Sequence, residues 1–153
     1  MIEKEELLSL IPHRGDMMLL DRINKYDMQE KYIEAEYDIT EECLFYDKKH
    51  SGVPAWAGFE FVAQAISAFI GIRNRENGLP SKEGYILGVS QMEINIPFYK
   101  NGSTVKIKSR ELENVHPVYV FQGEVLVDDK EALCGKLTVM EVEKDEDKTT
   151  EKE

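Results

Sequence analysis

The chain has 153 residues, 42% of them apolar, including 7 Tyr, 6 Phe and 1 Trp. That is enough oily surface for one hydrophobic core, and it excludes wholesale disorder, a collagen-like chain and a disulfide scaffold. Thirty acidic against nineteen basic residues give a formal charge of −11, which repels a phosphate backbone and argues against a nucleic-acid partner.

Two cysteines, Cys43 and Cys134, lie far apart, and together with three histidines they lack the spacing of a zinc motif, so no metal and no cofactor is expected. Thiols used so sparingly fit a reducing, cytoplasmic setting. The acidic N-terminus does not read as a signal peptide, and Glu60 and Arg73 bracket the longest apolar run, so membrane insertion is not expected.

In chain order, Met1–Leu10 carries Ile2, Leu7, Leu8 and Leu10 among acids and predicts a short amphipathic helix ending before Pro12. Met17–Asn24 and the alternating Lys31–Asp38 predict a strand pair. Cys43–Val53 is polar and turn-prone, a loop. The stretch from Pro54 to Arg73 has Pro at a first helical position and strong helix formers, with a stop near Gly78-Leu79-Pro80. It is apolar nearly all round, so it must be a core helix enclosed on most of its circumference, by a sheet alone or by a sheet and a second subunit. Gly84–Phe98, Ser103–Glu113, Pro117–Val127 and Ala132–Val142 then read as strands, with turns at Lys100-Asn101-Gly102 and Asp128-Asp129-Lys130. Short turns make neighbouring strands antiparallel, so the class is α+β, a sheet curled round one helix. Residues 1–142 form the single expected domain. Residues 143–153 have no apolar side chain and are expected to be a disordered acidic tail.

Glu60 is the anomaly: a carboxylate in the second turn of a buried helix must reach water, find a partner or stay protonated. Gln64, one turn on, shares its face and can bind substrate or hold Glu60. His13, His50 and His116 are the candidate imidazoles, since histidine moves protons near neutral pH. His13 follows Pro12 at the corner between the terminal helix and the first strand, where it could equally cap or pack. His50 sits between lysines and Gly52 as on a solvated loop tip, and His116 precedes Pro117 at a hairpin corner. Gly58 allows close backbone approach near a helix start, either for a polarised carbonyl or for helix–sheet packing. Trp56 is a tunnel wall or plain core. No phosphate loop, Gly-x-Ser-x-Gly elbow or Cys/His nucleophile motif is present.

Leu10-Ile-Pro-His13-Arg14 followed by Met17-Met-Leu-Leu-Asp21-Arg22, then Glu60-Phe-Val-Ala-Gln64 and Pro97-Phe-Tyr-Lys-Asn-Gly-Ser103, taken in this order, resemble the hotdog-fold 3-hydroxyacyl-(acyl-carrier-protein) dehydratases over roughly residues 7 to 142. The departure is equally specific. The family's His-Phe-Pro-Gly element before the helix is replaced by His50-Ser-Gly-Val-Pro54, and Val53-Pro-Ala-Trp56 is similar to a divergent branch associated with aryl polyene biosynthesis.

The resemblance implies a hotdog fold and a dehydratase that eliminates water from 3-hydroxyacyl thioesters to give trans-2-enoyl thioesters, in fatty acid or polyene-type biosynthesis. His13 is then the base, with His50 the alternative, and Glu60, kept protonated by burial, assists the leaving hydroxyl. Amides around Ala57 and Gly58 would hold the thioester oxygen, a contribution of about 3 kcal/mol, and Trp56 and Gln64 would contact substrate. The substrate rides on acyl carrier protein or coenzyme A. The implied assembly is a homodimer, a hotdog heterodimer or a higher oligomer. An acidic carrier would need a basic patch, for which Arg14, Arg73, Arg75 and Lys100 are the candidates. Two other functions fit the same residues: a hotdog acyl thioesterase in which Glu60 activates water, and a non-catalytic acyl-binding partner of a heterodimer.

Overall fold

A computed structural model of the chain describes residues 1–11, 17–80 and 82–142. The expected acidic tail lies outside the described residues. Strands β1 (Ile2–Glu3), β2 (Arg22–Asp27), β3 (Tyr32–Asp38), β5 (Glu83–Ile94), β7 (Thr104–Val115), β8 (Val118–Val127) and β9 (Lys130–Val142) form one antiparallel sheet in the order β1-β2-β3-β7-β8-β9-β5. Two short strands, β4 (Gly52–Pro54) and β6 (Phe98–Lys100), pair with each other beside it. Helix α1 is the four-residue Lys4–Leu7, and α2 is Gly58–Glu76. This is the hotdog arrangement, one long helix against an antiparallel sheet.

Alternation builds the seat for the helix. In β8 every second residue from Tyr119 to Val125 is buried, and in β7 Val105, Ile107, Ser109 and Glu111 point inward. Against them α2 buries Phe61, Val62, Ala65, Phe69 and Ile72, with Phe69 edge-on to Phe121 at 5.9 Å and Phe61 tilted against Tyr37 at 5.1 Å. Each of the larger side chains contributes about 1.5–3 kcal/mol through burial, and Phe121→Ala would remove one of them and leave a cavity. Two glycines let the helix sit low. A side chain at Gly123 would collide with Val62, and one at Gly58 with the Tyr99 hydroxyl.

By length and composition Ala55–Glu76 is apolar enough to cross a membrane, more so than its bracketing charges suggested. It is instead the core helix. It ends as a Schellman motif: Gly78 has φ +68, Leu79 N–H donates to the Asn74 carbonyl at 2.8 Å and Gly78 N–H to the Arg75 carbonyl at 3.2 Å. Arg73 and Arg75 in the last turn suit the negative end of the helix dipole.

Four expectations need correcting. The N-terminal helix is only Lys4–Leu7, because Ile2 is drawn into the sheet opposite Ile23. The first long strand starts at Arg22 rather than Met17. Met18, Leu19 and Leu20 are buried without a ladder, the Leu19 amide being taken by the Gln64 side chain. Pro54 does not open the helix: it closes β4 in extended conformation (ψ 140), and a 3-10 turn, Ala55–Ala57, leads into α2. Gly84–Phe98 is two strands, since the Pro97 region breaks away from β9 to feed β6, with the Pro97 carbonyl accepting from Ala55 N–H at 3.0 Å. The Asp128-Asp129 turn is as expected, both residues having positive φ, as a two-residue hairpin with right-handed twist requires.

Candidate active site

Because α2 turns every 3.6 residues, the side that the sheet leaves uncovered is a stripe one residue wide: Glu60, Ala63, Ser67 and Gly71. Small residues there keep a trough open. It is lined by that stripe, by Gly84, Tyr85 and Ile86 at the start of β5, by Val139 and Glu141 at the end of β9, and by Leu10, with Lys82 at its rim. Its volume is about 250 Å³. Glu60 is partly buried and faces into it.

Gln64 organises this end of the trough and is itself fully buried. Its Nε2 donates to Glu60 Oε1 at 3.1 Å and to the Met17 carbonyl at 2.8 Å, while its Oε1 accepts from Leu19 N–H at 2.7 Å. One amide therefore ties the Glu60 carboxylate to the chain that emerges after residues 12–16. His13 and Arg14 lie outside the described residues.

The other expected residues are placed apart from the trough. His50 sits in the turn closed by the Asp47–Gly52 bridge. Its ring stacks on Phe98 at 4.2 Å, with Nδ1 against Asp47 Oδ2 at 2.9 Å. That contact holds the Asp47 carboxyl below its usual range. His116 reaches the Tyr119 hydroxyl at 3.2 Å through Nδ1. Trp56 is exposed and meets Phe45 edge-on at 5.2 Å. Ala57 is buried in the 3-10 turn. The Gly58 N–H donates to the Ala55 carbonyl, which also accepts from the Tyr99 hydroxyl at 3.0 Å. Burial with no charged neighbour pushes the Tyr99 hydroxyl far above its ordinary pKa, so it keeps its proton for that bond. Of the basic-patch candidates, Arg73 pairs with buried Glu111 at 2.8 Å and Arg75 with Glu6 at 3.0 Å.

Residues that the sequence reading did not single out complete the trough. Glu141 is the last inward position of the Leu137, Val139, Glu141 alternation, so a period-two reading carried to its end would have found it. Its Oε2 accepts from Asn74 Nδ2 at 2.8 Å and its Oε1 from the Tyr119 hydroxyl at 2.9 Å. A larger concavity, about 710 Å³, lies on the outer face round Tyr32 and Arg110. It is a shallow saucer whose charges include Lys25, Lys108 and Arg110, the last paired with Glu30 at 3.7 Å. Among the described residues, Glu93, Glu131 and Cys134 bring three ligand-type atoms within 4.8 Å of one another. None of them lines the trough. Burial first and then the two acids push the Cys134 thiol up, which keeps it a thiol.

The family model and the curated relatives are dehydratases, while the solved structures share the fold more widely. The 3-hydroxyacyl-(acyl-carrier-protein) dehydratase FabZ of Campylobacter hominis is 27% identical over 148 residues, covering 94% of this chain and 100% of that protein. Among solved structures, the dehydratase heterocomplex ApeI:P from Xenorhabdus doucetiae superposes with a TM-score of 0.83 at 20% identity, covering 96% of this chain and 97% of that one. A hypothetical thioesterase with coenzyme A from Streptococcus pneumoniae shares the fold more loosely, with a TM-score of 0.60 at 11% identity over 92% of this chain and 97% of that one. A family model described as ApeP dehydratase matches residues 5–151. With a half-buried acid at the head of an apolar trough and a family match over nearly its whole length, this chain belongs to the ApeP-like dehydratase family.

Proposed function

We propose that the chain eliminates water from 3-hydroxyacyl thioesters borne on acyl carrier protein, or on coenzyme A, to give trans-2-enoyl thioesters. The observation that carries this reading is the Gln64 amide, which joins Glu60 to the Met17 carbonyl at the head of the trough. His13 is assigned as the base from the resemblance of Leu10-Ile-Pro-His13-Arg14 to the dehydratases. The imidazole of His13 takes the proton from C2 and Glu60 gives one to the C3 hydroxyl. The C2–H and C3–O bonds break, the C2–C3 double bond forms and water leaves. The acyl chain lies along Ala63, Ser67 and Ile70.

His50 is the second candidate base, because Asp47 orients its ring through Nδ1 and leaves Nε2 for a proton. Its loop position suits a site shared with a neighbouring subunit. Such a subunit has an obvious seat. Among the described residues β5 pairs with β9 alone, and Tyr85, Leu87, Met92 and Ile94 along it are each close to half exposed or more. An unpaired, apolar strand edge of this length is a template for a second hotdog subunit, identical or not. The free Cys43 and Cys134 thiols fit a reducing cytoplasm.

The test is a 3-hydroxyacyl thioester incubated with the chain and read for enoyl absorbance and for free thiol. Enoyl product that His13→Ala or His50→Ala abolishes identifies the base. Free thiol without enoyl product supports the thioesterase instead. Neither product from the chain alone, with enoyl product once a second hotdog chain is added, moves the catalytic role to the heterodimer.

A further inference from the structure

The trough that starts at Glu60 does not end in hydrocarbon. Along its length it is walled by Ala63, Ile66, Ile70 and Val139, but at the far end stands Glu141, a carboxylate only 5% exposed. Asn74, 6% exposed, and Tyr119, 5% exposed, each donate to one of its oxygens, and His116 backs the Tyr119 hydroxyl. Burial and the neighbouring Glu141 push the Tyr119 hydroxyl up to about 12, so it remains a donor throughout the working range. A carboxylate oxygen accepts along about two directions, and each Glu141 oxygen has one donor, so one direction stays open on each. The helix rise of about 1.5 Å per residue puts Glu60 and Ile70 ~15 Å apart along the axis, a distance that a medium-length acyl chain spans.

A methyl group pressed against that end would strip water from a carboxylate and return no hydrogen bond, which is costly. A hydroxyl arriving there would fill one of the open directions. We propose that Glu141 is a specificity-determining residue at the floor of the trough: it selects acyl groups whose far end carries a neutral hydrogen-bond donor, of which a hydroxyl is the simplest, and turns away saturated chains long enough to reach it. This rests on the reading of the trough as the acyl site.

The experiment measures equilibrium binding of unreactive pantetheine amides in matched pairs. Dodecanoyl is compared with 12-hydroxydodecanoyl, and hexanoyl with 6-hydroxyhexanoyl as the pair too short to touch the floor. Wild type is expected to bind the long hydroxylated amide about tenfold more tightly than its methyl-ended twin and to treat the short pair alike. Glu141→Leu reverses the long-chain preference. Equal affinities for the long pair in wild type overturn the proposal, as does an unreversed preference in folded Glu141→Leu. If that variant does not fold, Glu141→Gln takes its place, with a weakened preference expected and an unchanged one decisive against. Turnover of 3-hydroxyhexanoyl thioester is scored separately. Its absence both with and without a second hotdog chain overturns the dehydratase reading, whereas the binding ratio judges Glu141.

Discussion

The two ends of α2 both hold carboxylates against side-chain amides, and they hold them in different settings. Near the N-terminal end, Glu60 is partly buried, takes a hydrogen bond from Gln64 and opens onto the trough. Near the C-terminal end, Glu111 and Glu141 are buried. Arg73 and Asn114 bind the first, Asn74 and Tyr119 the second. Access separates the three. The acid proposed to give substrate a proton is reachable, Glu111 fastens the sheet to the helix out of reach of water, and Glu141 stands between, held by two donors yet lining the trough.

Exchanging the roles of the two ends is the sharpest way to test this contrast. Glu60→Gln should leave the fold intact and lower dehydration by at least ~100-fold, read as kcat/KM on a 3-hydroxyacyl thioester beside a thermal melt. A large loss of melting temperature would show that Glu60 belongs with the structural acids. Arg73→Met should do the reverse at the other end. It strands the Glu111 carboxylate, whose side chain has no solvent exposure, at a cost of about 3–5 kcal/mol in urea unfolding. Gln64→Leu falls between, because it removes three hydrogen bonds and leaves the Leu19 amide unsatisfied. About 2 kcal/mol of stability and most of the turnover should go together.

The smallest effect concerns pH. Arg22 forks onto Asp38 at 3.0 and 3.1 Å and holds its carboxyl below the ordinary value of 3.8. A group lowered in the folded state adds stability that is complete above its unfolded pKa and is lost as pH falls through the folded one. The melting temperature should therefore drop on acidification below about pH 4, and Arg22→Met should flatten that limb.

Much of the architecture was legible because it follows from repetition. Alternation in Pro117–Val127 and the all-round apolar run after Pro54 each encode one face or none to water, and both became the expected element. Short-range identity misled where a distant partner decided the outcome. Ile2 joins a strand because Ile23 is there to meet it, and Met17–Leu20 stays out of the ladder because Gln64 claims its backbone. Glu60 and Gln64 could be chosen from sequence since i, i+4 spacing fixes their adjacency. Glu141 could not be chosen so easily. Its significance comes from Asn74 and Tyr119, which approach it from other elements.

The bare hydrogen at Gly123 reaches further than packing. Val62 drops into the space a methyl group would fill, two residues from Glu60 on the same rigid rod. The altitude of the rod above its bed is set there, and with it the height at which the carboxylate meets anything docked alongside. Gly123→Ala would jack the rod upward without touching a reacting atom, so the tempo of the chemistry is adjustable from beneath, by the floor joists rather than the tools on the bench.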